Sequence, residues 1–125
     1  MRKQHPNIII VNSSKSMVDA IVDFIESNSE YIILGSAPDC KMLLKSPELN
    51  EADLVLIDID ILDDESKESV SMLKAIRPDF KLIAISMYSE KVYWEDFYEA
   101  GFSAVVHKYM ITEELLSTIN RLING

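Results

Sequence analysis

The chain has 125 residues, 48% of them apolar, with 21 acids against 12 Lys and Arg and a formal net charge of −9 at pH 7. A domain of this length buries roughly two-thirds of its unfolded surface, enough for a core without metal or disulfide staples. The lone Cys40 excludes an internal disulfide and fits a reducing compartment. The acidic balance argues against direct nucleic-acid binding, because phosphate backbones attract Lys/Arg patches.

The basic start Arg2-Lys3 precedes only the apolar run Ile8 to Val11. A secretory h-region needs about 7–15 apolar residues, and a membrane span needs about 20. The chain therefore reads as cytoplasmic, with no membrane contact.

In chain order, apolar runs alternate with amphipathic stretches. Ile8 to Val11 predicts a strand. Ser16 to Asn28 carries Met17, Ile21, Phe24 and Ile25 at helix spacing. Tyr31 to Leu34 predicts a second strand, ended by Gly35. Asp39 to Lys45 predicts a short helix bounded by Pro38 and Pro47. Asp53 to Ile57 predicts the third strand. Ser66 to Ile76 is helical, with Val70, Leu73 and either Ala75 or Ile76 inward, and Pro78 just past its end.

Phe80 to Ile85 predicts the fourth strand. Glu90 to Ala100 predicts a helix stopped by Gly101, with Val92, Tyr93 and Phe97 inward and Trp94 and Tyr98 outward. Ser103 to Val106 predicts the fifth strand. Thr112 to Ile123 closes the chain, with Thr112 as N-cap, Glu113 and Glu114 in the first turn, and Leu115, Leu116, Ile119, Leu122 and Ile123 inward. This (βα)5 alternation predicts an α/β, flavodoxin-like three-layer fold with a parallel sheet of order 2-1-3-4-5. No repeat, low-complexity tract or linker interrupts residues 1–125, which read as a single domain. An output domain would lie beyond Gly125, or not exist.

The third strand is bounded by Asp53 and Asp58, which places Asp58 at the carboxyl edge, where ligands gather in open α/β sheets. A carboxylate there is either an acceptor or ligand in a site, or the polar cap of a strand. From Glu48 to Glu68, nine carboxylates face only Lys67. A solvated loop and helix start accounts for that run more simply than a cation site. The other strands bring Asn12-Ser13-Ser14, Ser86 and Lys108 to the same edge.

Three segments, Asp53-Leu-Val-Leu-Ile-Asp58, Leu82-Ile-Ala-Ile-Ser86-Met87 and Glu99-Ala-Gly-Phe-Ser-Ala-Val-Val-His-Lys108, occur in order at the right spacing. On them the chain resembles the response-regulator receiver family of two-component signalling across essentially its whole length. With the Glu113-Glu-Leu-Leu start of the last helix, it looks most like receivers attached to helix-turn-helix output domains. The resemblance implies that Asp58 is the phosphoryl acceptor, that the Ser86 hydroxyl binds the phosphoryl group and that Lys108 pairs with it. It also implies no enzymatic activity beyond acceptance and self-hydrolysis of that group.

The departures from the family are specific. Its two acids at the end of strand one, which hold Mg²⁺, are Asn12 and Ser13 here. Mg²⁺ usually binds through one or two carboxylates, so Mg²⁺ is expected to bind only weakly, through Asp58 and Asp60, with Asp63 and Asp64 as further substitutes. The family's switch aromatic is Val105, and the residue after the lysine is Tyr109 where proline is common. The loop after Asp58 has neither the proline nor the glycine.

These departures predict an atypical receiver acting in phosphorelay signalling through protein contacts with a sensor kinase, an output domain or a second copy. Trp94, Tyr98, Val105 and Tyr109 would form its partner face. Lys108 is expected to pair directly with Asp58, and Ser86 to hydrogen-bond it. One alternative is a standard receiver phosphorylated on Asp58. Another class is a flavodoxin-like small-ligand binder, with Ser13, Ser14 and Ser16 at a helix start, although plain N-capping explains those serines better. Ser-His-Asp catalysis is set aside, since His107 and Lys108 face opposite sides of a strand and His5 lies in a terminal tail.

Overall fold

The computed structural model describes residues 6–60, 62–88 and 91–124. His5, Ile61 in the loop after Asp58, and Glu90, the expected first residue of the fourth helix, lie outside the described residues. The strands are β1 (Asn7–Val11), β2 (Ile32–Ala37), β3 (Leu54–Asp58), β4 (Lys81–Ser86) and β5 (Ala104–His107). The helices are α1 (Lys15–Asn28), α2 (Cys40–Leu44), α3 (Asp64–Ile76), α4 (Lys91–Ala100) and α5 (Ile111–Asn124). Short 3₁₀ turns add Pro47–Glu51 and Lys108–Met110. All pairings are parallel and the strand order is β2-β1-β3-β4-β5, as predicted.

The strands are near-continuous apolar runs because both faces of the sheet are covered. Side chains alternate with period two, and this sorts the core into two layers. Ile9, Val11, Val55, Ile57, Leu82, Ala84 and Val105 pack with Leu43, Val70, Leu73 and Phe97 from α2, α3 and α4. Ile8, Ile10, Leu54, Leu56, Ile83, Ile85 and Val106 pack with Val18, Ile21, Ile25, Leu115 and Ile119 from α1 and α5.

Several predicted details change. Gly35 does not end β2, which continues to Ala37. Ile8 pairs with Ile33 and Ile9 with Gly35, so Leu34 is the extra residue of a bulge and the strand bends and continues. In α1 the third buried position is Val18, while Met17 and Phe24 are half-buried. In α3 neither Ala75 nor Ile76 turns inward, and Ser69 takes a buried place instead.

Thr112 does not cap α5. The Lys108–Met110 turn runs directly into the helix at Ile111, which leaves Thr112 inside its first turn. The residue before that turn is His107, whose Nδ1 accepts the Tyr109 N–H at 3.1 Å. Gly101, at φ +111°, ends α4 in a backbone conformation open mainly to glycine.

Candidate functional site at the carboxyl edge of the sheet

The chain turns to opposite sides of the sheet after β1 and β3, and the crevice between their ends is where such folds place ligands. β1 ends at Val11, so Asn12 is the first residue over the edge. Its backbone N–H donates to Ala37 O at 3.0 Å. Ser14 then caps α1, its Oγ accepting the Met17 N–H at 3.3 Å. β3 delivers Asp58 as its last residue, paired with Ile85 of β4. β5 delivers Lys108 through the 3₁₀ turn that follows it.

Asp58 has a donor on each oxygen. Lys108 Nζ lies 3.2 Å from Oδ1, with the two side chains 21% and 18% exposed. Asn12 Nδ2 donates to Oδ2 at 2.7 Å. The direct Lys108–Asp58 pair is the one expected from sequence. The Asn12 bond is not among those the sequence predicts, where Asn12 only stands in place of an acid. A cavity of about 320 Å³ opens here, lined by Asn12, Ser13, Ser14, Met17, Pro38, Asp58 and Lys108.

Ser86 is fully buried but does not bond Asp58. Its Oγ donates to Asp60 O at 3.1 Å and accepts the Tyr88 N–H at 3.1 Å. A buried hydroxyl takes the nearest unsatisfied carbonyl, and the loop after β3 supplies one. Asp60 itself turns its Oδ1 to the Met87 N–H at 2.9 Å. The expected Ser86–Asp58 bond is thus replaced by a latch between the loops after β3 and β4.

The donor set does not suit a resident Mg²⁺. Asp58 is engaged on both oxygens, and Asn12 Oδ1 is taken by the Ser14 N–H at 2.8 Å. Among the described residues no group of three or more His, Cys, Asp or Glu is arranged to hold a metal ion. Asp63, a suggested substitute, caps α3 instead by accepting the Ser66 N–H at 2.8 Å. Asp64 is exposed in the first turn of α3.

A second cleft of about 290 Å³ lies on the other side of Asp58, between the starts of α2 and α3. Cys40 lines it, but burial, with help from the Asp39 charge, pushes its thiol up to about 11. At neutral pH it is therefore a protonated, poor nucleophile.

The expected partner face is rearranged. Val105 is 7% exposed and belongs to the core, so it presents nothing to a partner. Trp94 is half-buried against that same core layer, and its indole N–H donates to Tyr88 O at 2.8 Å. Val92, expected inward, is 61% exposed. Tyr98 and Tyr109 remain outside, joined by Val92 and Met110.

The response regulator receiver domain family matches residues 8–120. The transcriptional regulatory protein YdfI of Bacillus subtilis is 24% identical over 118 residues, covering 94% of this chain and 55% of YdfI. A protein-glutamate methylesterase/protein-glutamine glutaminase of Clostridium acetobutylicum is 27% identical over 84 residues, covering 67% of this chain and 24% of that protein. The chain thus spans about half the length of the first relative and a quarter of the second. A DNA-binding response regulator of the LuxR family from Staphylococcus aureus shares the fold, with a TM-score of 0.80 at 23% identity over 95% of this chain and 99% of that one. No helix among the described residues is long and apolar enough to cross a membrane.

Proposed function

This chain belongs to the response regulator receiver domain family of two-component signalling, and from that premise we propose that it is an atypical receiver. It acts in the cytoplasm through protein contacts, controlling an output domain or a separate partner. The single observation behind this reading is the state of Asp58. Lys108 and Asn12 already meet its two oxygens, and neither Asn12 nor Ser13 offers a carboxylate for a metal. The ammonium of Lys108 sits on Oδ1 of Asp58 at 3.2 Å, and Mg²⁺ binds weakly at best.

The second reading, a standard receiver phosphorylated on Asp58, draws on the same geometry. The acceptor opens to a cavity with a lysine beside it and a buried serine at the end of the next strand. A carboxylate is a competent nucleophile when activated, and a phosphoryl group there would add about −1.5 to −2 charges.

Incubation with acetyl phosphate and Mg²⁺, followed by intact-mass analysis, separates the two. The atypical reading expects no phosphoryl adduct and no change in sedimentation. A stoichiometric adduct that Asp58→Asn abolishes would establish the standard reading instead.

A further inference from the structure

We propose that Asn12 is the residue that makes this pocket refuse a divalent cation, by presenting an N–H to Asp58 where a metal would need to bind. The proposal deepens the atypical-receiver reading and rests on it for the choice of pocket. It differs from a simple shortage of acids, because the amide's orientation is itself determined. Asn12 Oδ1 accepts the Ser14 N–H at 2.8 Å, while Nδ2 donates to Asp58 Oδ2 at 2.7 Å. Rotating the amide by half a turn would set oxygen against carboxylate oxygen and N–H against N–H. Two hydrogen bonds would become two repulsive contacts, so the network fixes which end faces Asp58.

The Ser14 N–H is equally fixed, because Ser14 is the N-cap of α1 and its backbone is set by the start of that helix. The amide oxygen, the only side-chain atom of Asn12 that could ligate a metal, is therefore committed to Ser14. The nitrogen end, which repels a metal, is committed to Asp58. Lys108 completes the arrangement on Oδ1 at 3.2 Å. A cation approaching either oxygen of Asp58 meets a positively polarised hydrogen already in place, and a charge-assisted bond of this kind is among the stronger ones.

The two explanations separate on substitution. If acids are merely lacking, Asn12→Ala leaves Mg²⁺ affinity unchanged, and a carboxylate added at either neighbouring position helps equally. If the Asn12 N–H is the obstacle, Asn12→Ala alone frees Oδ2 and tightens binding. Asn12→Asp then gains more than Ser13→Asp, which leaves the amide in place.

The experiment is calorimetric titration of the full chain with Mg²⁺ alone, with folding checked by circular dichroism. Asn12→Ser serves as a second variant that keeps a hydroxyl for the Ser14 N–H but is too short to reach Asp58. We expect a millimolar or weaker site in the wild type. Asn12→Ala and Asn12→Ser should bind about tenfold tighter, the scale of one charge-assisted hydrogen bond removed from the competing side. Asn12→Asp should be tighter again, and Asp58→Asn in the same chain should abolish the gain. Unchanged affinity in both the alanine and serine variants, equal gains from Ser13→Asp and Asn12→Asp, or a gain that survives Asp58→Asn would each overturn the proposal. Acetyl-phosphate labelling of the wild type tests the atypical reading separately, so failure of one is told apart from failure of the other.

Discussion

Asp58 is held by two neighbours that no local sequence window contains. Asn12 lies 46 positions upstream, and Lys108 arrives from the far side of the sheet. Because both ion-pair partners are mostly buried, removing one leaves the other charge poorly solvated. Lys108→Met should therefore destabilise the fold by about 1–3 kcal/mol, because the Asp58 carboxylate would keep only the Asn12 N–H. Asp58→Asn/Lys108→Met should recover part of that loss. Urea unfolding of the single and double variants measures the coupling, and strictly additive losses would show that the pair is not energetically joined. The sequence made Asp58, Ser86 and Lys108 legible as edge residues because each follows a buried apolar run. It did not reveal what Ser86 bonds, because its acceptor is the backbone carbonyl of Asp60, and backbone groups carry no sequence signal. It likewise hid the Asn12 bond, since only the turn into α1 determines which end of the amide faces Asp58.

At the scale of elements, strands were easier to place than helix faces. β1, β3 and β4 are apolar on both sides, so their existence does not depend on phase. α4 packs five apolar or aromatic residues into Val92 to Tyr98, too many for one face. The buried Phe97 fixes the phase, and positions three and four before it, Trp94 and Tyr93, turn with it toward the core. Val92, five positions before Phe97, is carried outside. The start of α3 carries a titratable signature of its own. The Ser66 N–H holds the Asp63 carboxyl below its ordinary value of 3.8. A depressed folded pKa means the cap stabilises fully above the unfolded value and loses that contribution as pH falls through the folded one. Asn caps about as well as Asp but does not titrate. Asp63→Asn should thus match the wild type near neutral pH and lose less stability than the wild type once the pH drops below about 4. Urea midpoints from pH 2.5 to 6 read this out, and parallel curves would show that the cap contributes no acid sensitivity.

At the scale of the whole molecule, the site and the outer surface of α4 are joined by the loop after β4 and the turn after β5. Trp94 anchors α4 to the first of these through Tyr88 O, while Tyr109 follows Lys108 directly in the second. Tyr109 is 75% exposed and Tyr98 49%. Apolar and aromatic groups exposed together commonly mark contact surfaces. Val105 is a buried residue of β5 and has no ring to swing outward, so it cannot change the surface with the charge on Asp58. A contact made there should be constitutive. Sedimentation of the purified chain should show self-association, or docking to a co-purified partner, that Tyr98→Ala and Tyr109→Ala weaken and acetyl phosphate leaves unchanged. Each tyrosine is exposed enough for its removal to spare the fold, whereas Trp94→Ala should lower the urea midpoint because the ring packs on the core. Association that appears only with the phosphoryl donor, and disappears with Asp58→Asn, would instead make this surface the output of an ordinary phosphorylation switch.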